Sequence, residues 1–298
     1  MAEAAAIRDY DPLSSGDGRR RGVWLVYALL ALFAFYYLAP LVVILLNTFR
    51  PLDDILRTGF IGLPTSLSGE YWRQAWGEFC LGGGCEGVAP FFWNSLLMTI
   101  PATIVSTAIG LVNGYILSKW RFRGSELLFG FITLGVFLPA QMTLLPWAWV
   151  LGTLGLTNSI AGLAFIHTVQ GLSFTTLFCR NYFVNIPDDL IKAATIDGAG
   201  FWRIFFRIIL PLSPPIIIVT VIWQFTGIWN DFLFGVVFSS GSSQPITSAL
   251  IAFSAASTGV QAYNVQAAAV IIAALPPLVI YLVGGKYFVR GLTQGAVK

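Results

Sequence analysis

Charge is what this chain has least of. Only 10% of its 298 residues are Asp, Glu, Lys or Arg, against roughly 25% in soluble domains, and its mean hydropathy is +0.77. With 56% hydrophobic residues, the chain is read as a polytopic membrane protein. Metal ligands are equally scarce. One histidine, His167, and a third cysteine, Cys179, far from Cys80 and Cys85 cannot supply the usual four ligands of a structural metal site, so no metal is expected. There is no G-x-x-x-x-G-K-[ST] loop, so the chain does not bind and hydrolyse ATP by itself. No nucleophile and base pair stands out, and no cluster of polar residues near one interface suggests a membrane enzyme. The first apolar run is too long for a signal peptide and lacks a small-residue cleavage site, so it is expected to stay as an anchor.

What is there is a set of long charge-free gaps, at 22–49, 87–118, 127–179, 208–230 and 232–285. A helix crosses a bilayer with about 20 residues, so the two longest gaps hold more than one pass. The first of these is split at L-G-T-L-G-L-T-N (151–158) and the second at S-S-G-S-S-Q-P (239–245). Six helices are predicted, near 23–48, 91–117, 127–150, 159–183, 213–238 and 267–289, in an all-α membrane protein. Orientation follows from the basic residues. With the N-terminus inside, 14 of the 17 Lys and Arg residues fall on the cytoplasmic side, and only Arg50, Arg57 and Arg73 fall outside. Both termini are then cytoplasmic, as a tail at 1–22 and a tail at 291–298 around a transmembrane domain at 23–290. The net charge of +3 says nothing of nucleic acid, because these residues mark topology.

Outside, residues 49–90 form the longest connection. Cys80 and Cys85 flank Leu81, Gly82, Gly83 and Gly84, a flexible spacer that allows a small disulfide in an oxidising compartment, with two free thiols as the alternative. Within the membrane, Pro139 and Pro146 are expected to kink the third helix, with Gln141 between them on a pathway wall or at a plain packing kink. His167 is read as satisfied by a neighbouring carbonyl rather than as a proton relay. The fifth helix carries W-Q-F-T-G-I-W-N-D-F (223–232). Trp223, Gln224, Gly227 and Asn230 combine indole with amide, the chemistry that stacks on and hydrogen-bonds to sugars. Asp231 must face water, a partner or the interface, since a carboxylate at a helix centre costs about 2.5–3.5 kcal/mol. These residues either touch substrate or hold helices and subunits together.

The one long polar interruption is the cytoplasmic segment at 184–212. Pro187, Asp188 and Asp189 look like a helix start. Gly198 and Gly200 permit a turn, after which Phe201, Ile204, Phe205 and Ile208 recur at helical spacing. Two short helices meeting at a glycine elbow are predicted, either an amphipathic surface loop or a docking device whose small residues let another protein approach closely.

The stretch K-A-A-T-I-D-G-A (192–199), followed eleven positions later by Leu210 and Pro211, resembles the E-A-A-x-x-D-G-A-x(n)-L-P signature of ATP-binding-cassette importer permeases. The carbohydrate branch, and its maltose-type second permease subunit, is the most similar. The turn L-G-L-T-N-S, the run W-N-D-F and the terminal K-Y-F-V-R-G-L-T-Q-G-A-V-K share the resemblance. It implies a type I importer permease fold of six transmembrane helices in a bacterial or archaeal inner membrane, with a carbohydrate as substrate. It implies four partners: a second permease subunit, two ATPase subunits that bind the ATP and Mg, and an extracytoplasmic solute-binding protein. It assigns Lys192, Ala193, Ala194, Asp197, Gly198, Ala199 and Gly200 to coupling with the ATPase, and Gly291, Leu292, Thr293 and Gly295 to a tail lying between the ATPases. The loop at 239–266 would reach towards the binding protein. One departure is Lys192, which stands where the family has glutamate. It either pairs with Asp188 or Asp189 one turn earlier or meets an ATPase that differs there. A secondary carrier coupled through Asp231 is the alternative reading, although no second-half counterpart of that carboxylate is present.

Overall fold

The computed structural model describes the backbone of residues 16–80, 85–255 and 261–294, and the side chains of 23–80, 85–251 and 261–285. Among the described residues it is all helical. Four helices are long and apolar enough to cross a membrane: α1 (Gly16–Asn47), α4 (Ala89–Lys119), α7 (Ile160–Val184) and α13 (Tyr263–Gln294). Two bent pairs raise the count to six if each is one span. Short helices α2 (Leu52–Thr58) and α3 (Glu70–Gly77) lie in the first outer connection, where Cys80 and Cys85 are joined as a disulfide.

The third span, expected near 127–150 with kinks at Pro139 and Pro146, is broken outright at the first of these. It is α5 (Ser125–Phe137) and then a 3-10 turn leading into α6 (Leu144–Leu154), bent by 106°. Pro139 supplies no N–H to continue the ladder, so the break falls there. Pro146 is tolerated because it lies in the first turn of α6, where its N–H would be unpaired in any case. The fifth span also stops early. In place of a helix over 213–238, α10 (Pro214–Trp229) ends at Asn230, and the chain restarts as α11 (Leu233–Phe238) before α12 (Ile246–Ala255). Asp231 is therefore not in mid-helix. Its carboxylate caps α11, accepting from the backbone N–H of Phe234 and Gly235 at 3.4 and 3.2 Å.

The core is built on close contact between α4 and α7. Ser106, Gly110, Gly114 and Ser118 recur every fourth residue on α4 and are all buried, a small-residue stripe that brings backbones together. Thr175 Oγ1 donates across it to the Ser106 carbonyl at 3.0 Å, and Asn113 Nδ2 donates to Thr176 Oγ1 at 3.2 Å. Outside this core α1 stands apart, with none of its apolar window buried. On the outer side, Asn158 Oδ1 accepts from Ser240 N–H at 2.7 Å, Asn94 Nδ2 donates to the Ser242 carbonyl at 2.7 Å, and Ser95 Oγ accepts from Ile246 N–H at 2.8 Å. The segment leading into α12, which includes a 3-10 turn at Gly241–Ser243, is thereby tied to the mouths of α4 and α7.

Candidate functional site: a coupling loop and a polar cavity

The connection at 184–212 forms α8 (Asp188–Ile196) and α9 (Phe201–Ile204), the latter continuing through a wide π turn (Phe205–Ile209) and a 3-10 turn (Leu210–Leu212). Pro211, Pro214 and Pro215 offer no N–H, so the helical ladder opens and bends by 77° into α10. Gly198 turns the chain with φ +78°, a conformation that L side chains resist. The inner side of this elbow is anchored. Ile191, Ile204, Phe205 and Ile209 are buried with Tyr115 and Phe183, and the Tyr115 ring lies 4.9 Å from Phe201 and 5.6 Å from Phe205. The outer side is bare. Lys192, Ala193, Asp197, Gly198 and Gly200 are exposed, Ala194 and Ala199 are half-buried, and Ile196 is 86% exposed.

Lys119, at the end of α4, holds the start of this loop. Its ammonium is only 3% exposed, lies 2.6 Å from Asp188 Oδ1, and also donates to the carbonyls of Ile186 and Val184. The hydrogen bond and charge of Lys119 hold the Asp188 carboxyl below the usual carboxylate range. A carboxyl shifted down contributes stability above its unfolded pKa and loses it as pH falls through the folded value. Asp188 is 69% exposed, however, so solvent screens that contribution, and the two carbonyl bonds do most of the anchoring. Lys119→Met is accordingly expected to speed amide hydrogen exchange over residues 186–190 at neutral pH far more than Asp188→Asn does. Equal exchange in the two variants would contradict this order. Lys192, one turn on, pairs with Asp189 at 3.4 Å, both side chains exposed.

A cavity of about 240 Å³ opens between α5, the break after it, α7 and α10. Its walls include His167, Gln170, Phe174, Trp223, Gln224 and Gly227. Gln170 Nε2 donates to Thr143 Oγ1 at 3.0 Å and Gln224 Nε2 to Ser106 Oγ at 3.2 Å. Gly171 makes room for Gln224, since a Cβ there would collide with the amide nitrogen. Phe174 stacks on one face of the Trp223 indole, with centroids 4.9 Å apart and planes 10° apart. At the outer end His167 Nε2 stands 3.5 Å from Asp231 Oδ2, too far and too poorly aligned to be a made hydrogen bond, and it has no other partner.

Residues 106–294 match the family described as binding-protein-dependent transport system inner membrane component. The chain belongs to that family. It is 45% identical over 187 residues to a probable ABC transporter permease protein of Pyrococcus horikoshii, covering 62% of this chain and 67% of the relative. It is 28% identical over 299 residues to a diacetylchitobiose uptake system permease protein of Streptomyces coelicolor, covering 100% and 93%. The fold is shared with a bacterial ABC transporter involved in the import of the acidic polysaccharide alginate, at a TM-score of 0.76 and 20% identity over 92% of this chain and 99% of the other. This permease is therefore a multi-pass inner-membrane transport component of the bacterial and archaeal type, and non-catalytic.

The structure gathers some of the residues singled out in the sequence and separates others. Trp223, Gln224 and Gly227 line the cavity, whereas Gln141 and Asn230 are exposed outside it. Asp231 reaches the cavity only through His167. A midplane coupling carboxylate, needed by the secondary-carrier reading, is thus not what Asp231 provides. His167 was expected to find a neighbouring carbonyl, but its Nε2 finds none. Gly291, Leu292 and Thr293 continue α13, their side chains outside the described residues, as are Gly295 and the segment 1–15. Sequence reasoning took Lys119 as a topology marker only. Its place one residue before the turn into α5 was the available signal for a second role. Gln170, which stands close to His167 in the sequence of the fourth span, shares the α7 face of His167 and Phe174, as helical spacing from the histidine requires.

Proposed function

We propose that this permease forms half of the translocation pathway of an ATP-driven importer for a carbohydrate delivered by a binding protein. It pairs with a second permease subunit, in the role of the maltose-type second subunit. Two ATPase subunits drive it through the elbow at 184–212, assisted by the tail at Gly291, Leu292, Thr293 and Gly295. The observation that carries this reading is the two-sided elbow. Its apolar face is locked to the inner ends of α4 and α7 through Tyr115 and Lys119, while Ala193, Gly198 and Gly200 stand exposed. A push on that free face is transmitted to the packed helices, because buried side chains leave no slack to absorb it. Similarity over the full length to a diacetylchitobiose permease and the indole and amide walls of the cavity support a sugar as cargo.

The test is co-purification of the ATPase with the permease. Gly198 is a poor site for a blocking side chain, since its φ of +78° would strain any replacement. Gly200 has φ −79° and open space at its Cβ position, so Gly200→Trp adds bulk without backbone strain. The variant is expected to reach the membrane at normal levels and lose the ATPase. Retention of the ATPase with undiminished substrate-stimulated hydrolysis would reduce the elbow to a connector.

A further inference from the structure

The cavity is more than a gap between helices, because its polar walls are half satisfied in a particular sense. The amide nitrogens of Gln170 and Gln224 each spend one of their two N–H bonds, on Thr143 and Ser106. What remains to offer is the second N–H donor and the carbonyl oxygen acceptor of each amide. His167, 6% exposed, brings an Nε2 with no partner to the same space, and a buried polar atom left unpaired costs about 1–3 kcal/mol. Trp223 is 55% exposed, with one indole face covered by Phe174 and, among the described residues, no ring stacked on the other. Unspent donors and acceptors beside a flat apolar face describe a site for a polyol ring, whose hydroxyls both donate and accept.

Charge and size narrow the ligand. Among the described residues no lysine or arginine lines the cavity, and the Asp231 carboxylate stands behind His167. An anionic sugar such as a uronate would find no cation and would face like charge. The volume of about 240 Å³ lies below the roughly 300–1,000 Å³ of pockets for drug-sized ligands, so a single ring is accommodated. We propose that this cavity holds one uncharged sugar ring in transit, stacked on Trp223 and hydrogen-bonded by His167, Gln170 and Gln224, so that this subunit contacts the cargo itself. The proposal rests on the carbohydrate reading above.

The experiment uses the complete importer with its binding protein in liposomes, and measures sugar taken up per ATP hydrolysed for glucose, xylose, maltose and glucuronate. Neutral sugars are expected to be favoured over glucuronate. For the neutral sugar carried best, Trp223→Ala is expected to lower uptake per ATP about fivefold, in line with the ~0.5–1.5 kcal/mol of an aromatic contact. His167→Leu should lower it similarly, and Trp223→Phe, which keeps a flat face, should restore most of it. Trp149→Ala, which removes an exposed indole of α6 outside the cavity, should leave the ratio alone. A defect of folding or assembly lowers uptake and hydrolysis together and leaves the ratio unmoved. If Trp223→Ala and His167→Leu both keep the wild-type ratio, or if Trp223→Phe behaves as Trp223→Ala does, the site is overturned while sugar import stands. If the wild-type importer carries none of the four sugars, it is the carbohydrate reading that falls.

Discussion

Gly114→Leu is expected to leave almost no folded permease to extract from the membrane. A Cβ at position 114 would stand 2.7 Å from the backbone nitrogen of Arg180 and 2.8 Å from the carbonyl carbon of Cys179. Backbone cannot rotate away as a side chain can, so α4 and α7 would have to part. Parting them strands Thr175 Oγ1 from the Ser106 carbonyl and Asn113 from Thr176, in a medium that offers no water in exchange. Overpacking alone costs typically about 1–3 kcal/mol, and the lost bonds add to it. Gly110→Val should act in the same way, since its Cβ would meet both the Thr175 side chain and its backbone. Gly152→Leu, where nothing lies within 4 Å, should be harmless. Size-exclusion profiles of detergent-extracted protein carrying a fluorescent tag decide the matter: a sharp peak at wild-type height for Gly114→Leu would show that the helices are not locked at this seam.

Arg50→Met should be the most damaging change outside the membrane. The arginine is fully buried at the junction of α1 and α2. Its Nε donates to Asp54 Oδ2 at 3.0 Å, its Nη1 to Asn47 Oδ1 at 2.9 Å and the Gly59 carbonyl at 3.1 Å, and its Nη2 to Thr58 Oγ1. Its own carbonyl accepts from Asn264 Nδ2 on α13 at 3.1 Å, so one residue joins the outer ends of three helices. Methionine fills the volume but leaves a buried carboxylate without its cation, and breaking such a pair from one side is far costlier than replacing both partners. The thermal midpoint of the purified permease is expected to fall by several degrees in Arg50→Met and to recover in part in Arg50→Met/Asp54→Leu. A double variant no better than the single one would show that the arginine acts by packing rather than by charge. Burial pushes the Asp54 carboxyl up, but the Arg50 hydrogen bond, the Thr65 N–H and the Arg50 charge together hold it below the usual range. Its contribution is present above the ordinary carboxylate pKa of about 3.9 and lost as pH falls through the depressed folded value. The advantage of wild type over Asp54→Asn should therefore be level through neutral pH and shrink only in acid.

The elbow and the cavity were not equally legible beforehand. The elbow is written in contiguous residues: a proline and two aspartates start α8, Gly198 turns the chain, and apolar spacing marks α9. Each of these is a local preference, readable without knowing what packs where. The cavity is written across residues far apart in the chain, from Gly135 on α5 to Ile228 on α10. Its indole and amide on α10 drew attention by composition, yet Gln141 looked equally suitable and proved to point elsewhere. Nothing in a one-dimensional pattern distinguishes the side of the Pro139 break that faces α7 from the side that does not.

Composition and charge alone marked this protein as one of the membrane, located its polar elbow and set the expected sides of its loops, because insertion free energy and the positive-inside bias act on each residue nearly independently. Tertiary structure decided the rest. Which cation holds Asp188 and which side chain stands opposite His167 depend on helices meeting across 60 or more residues of chain. Those meetings are set by the fit of small residues on α4 against the backbone of α7, a property of two surfaces together that neither segment carries by itself.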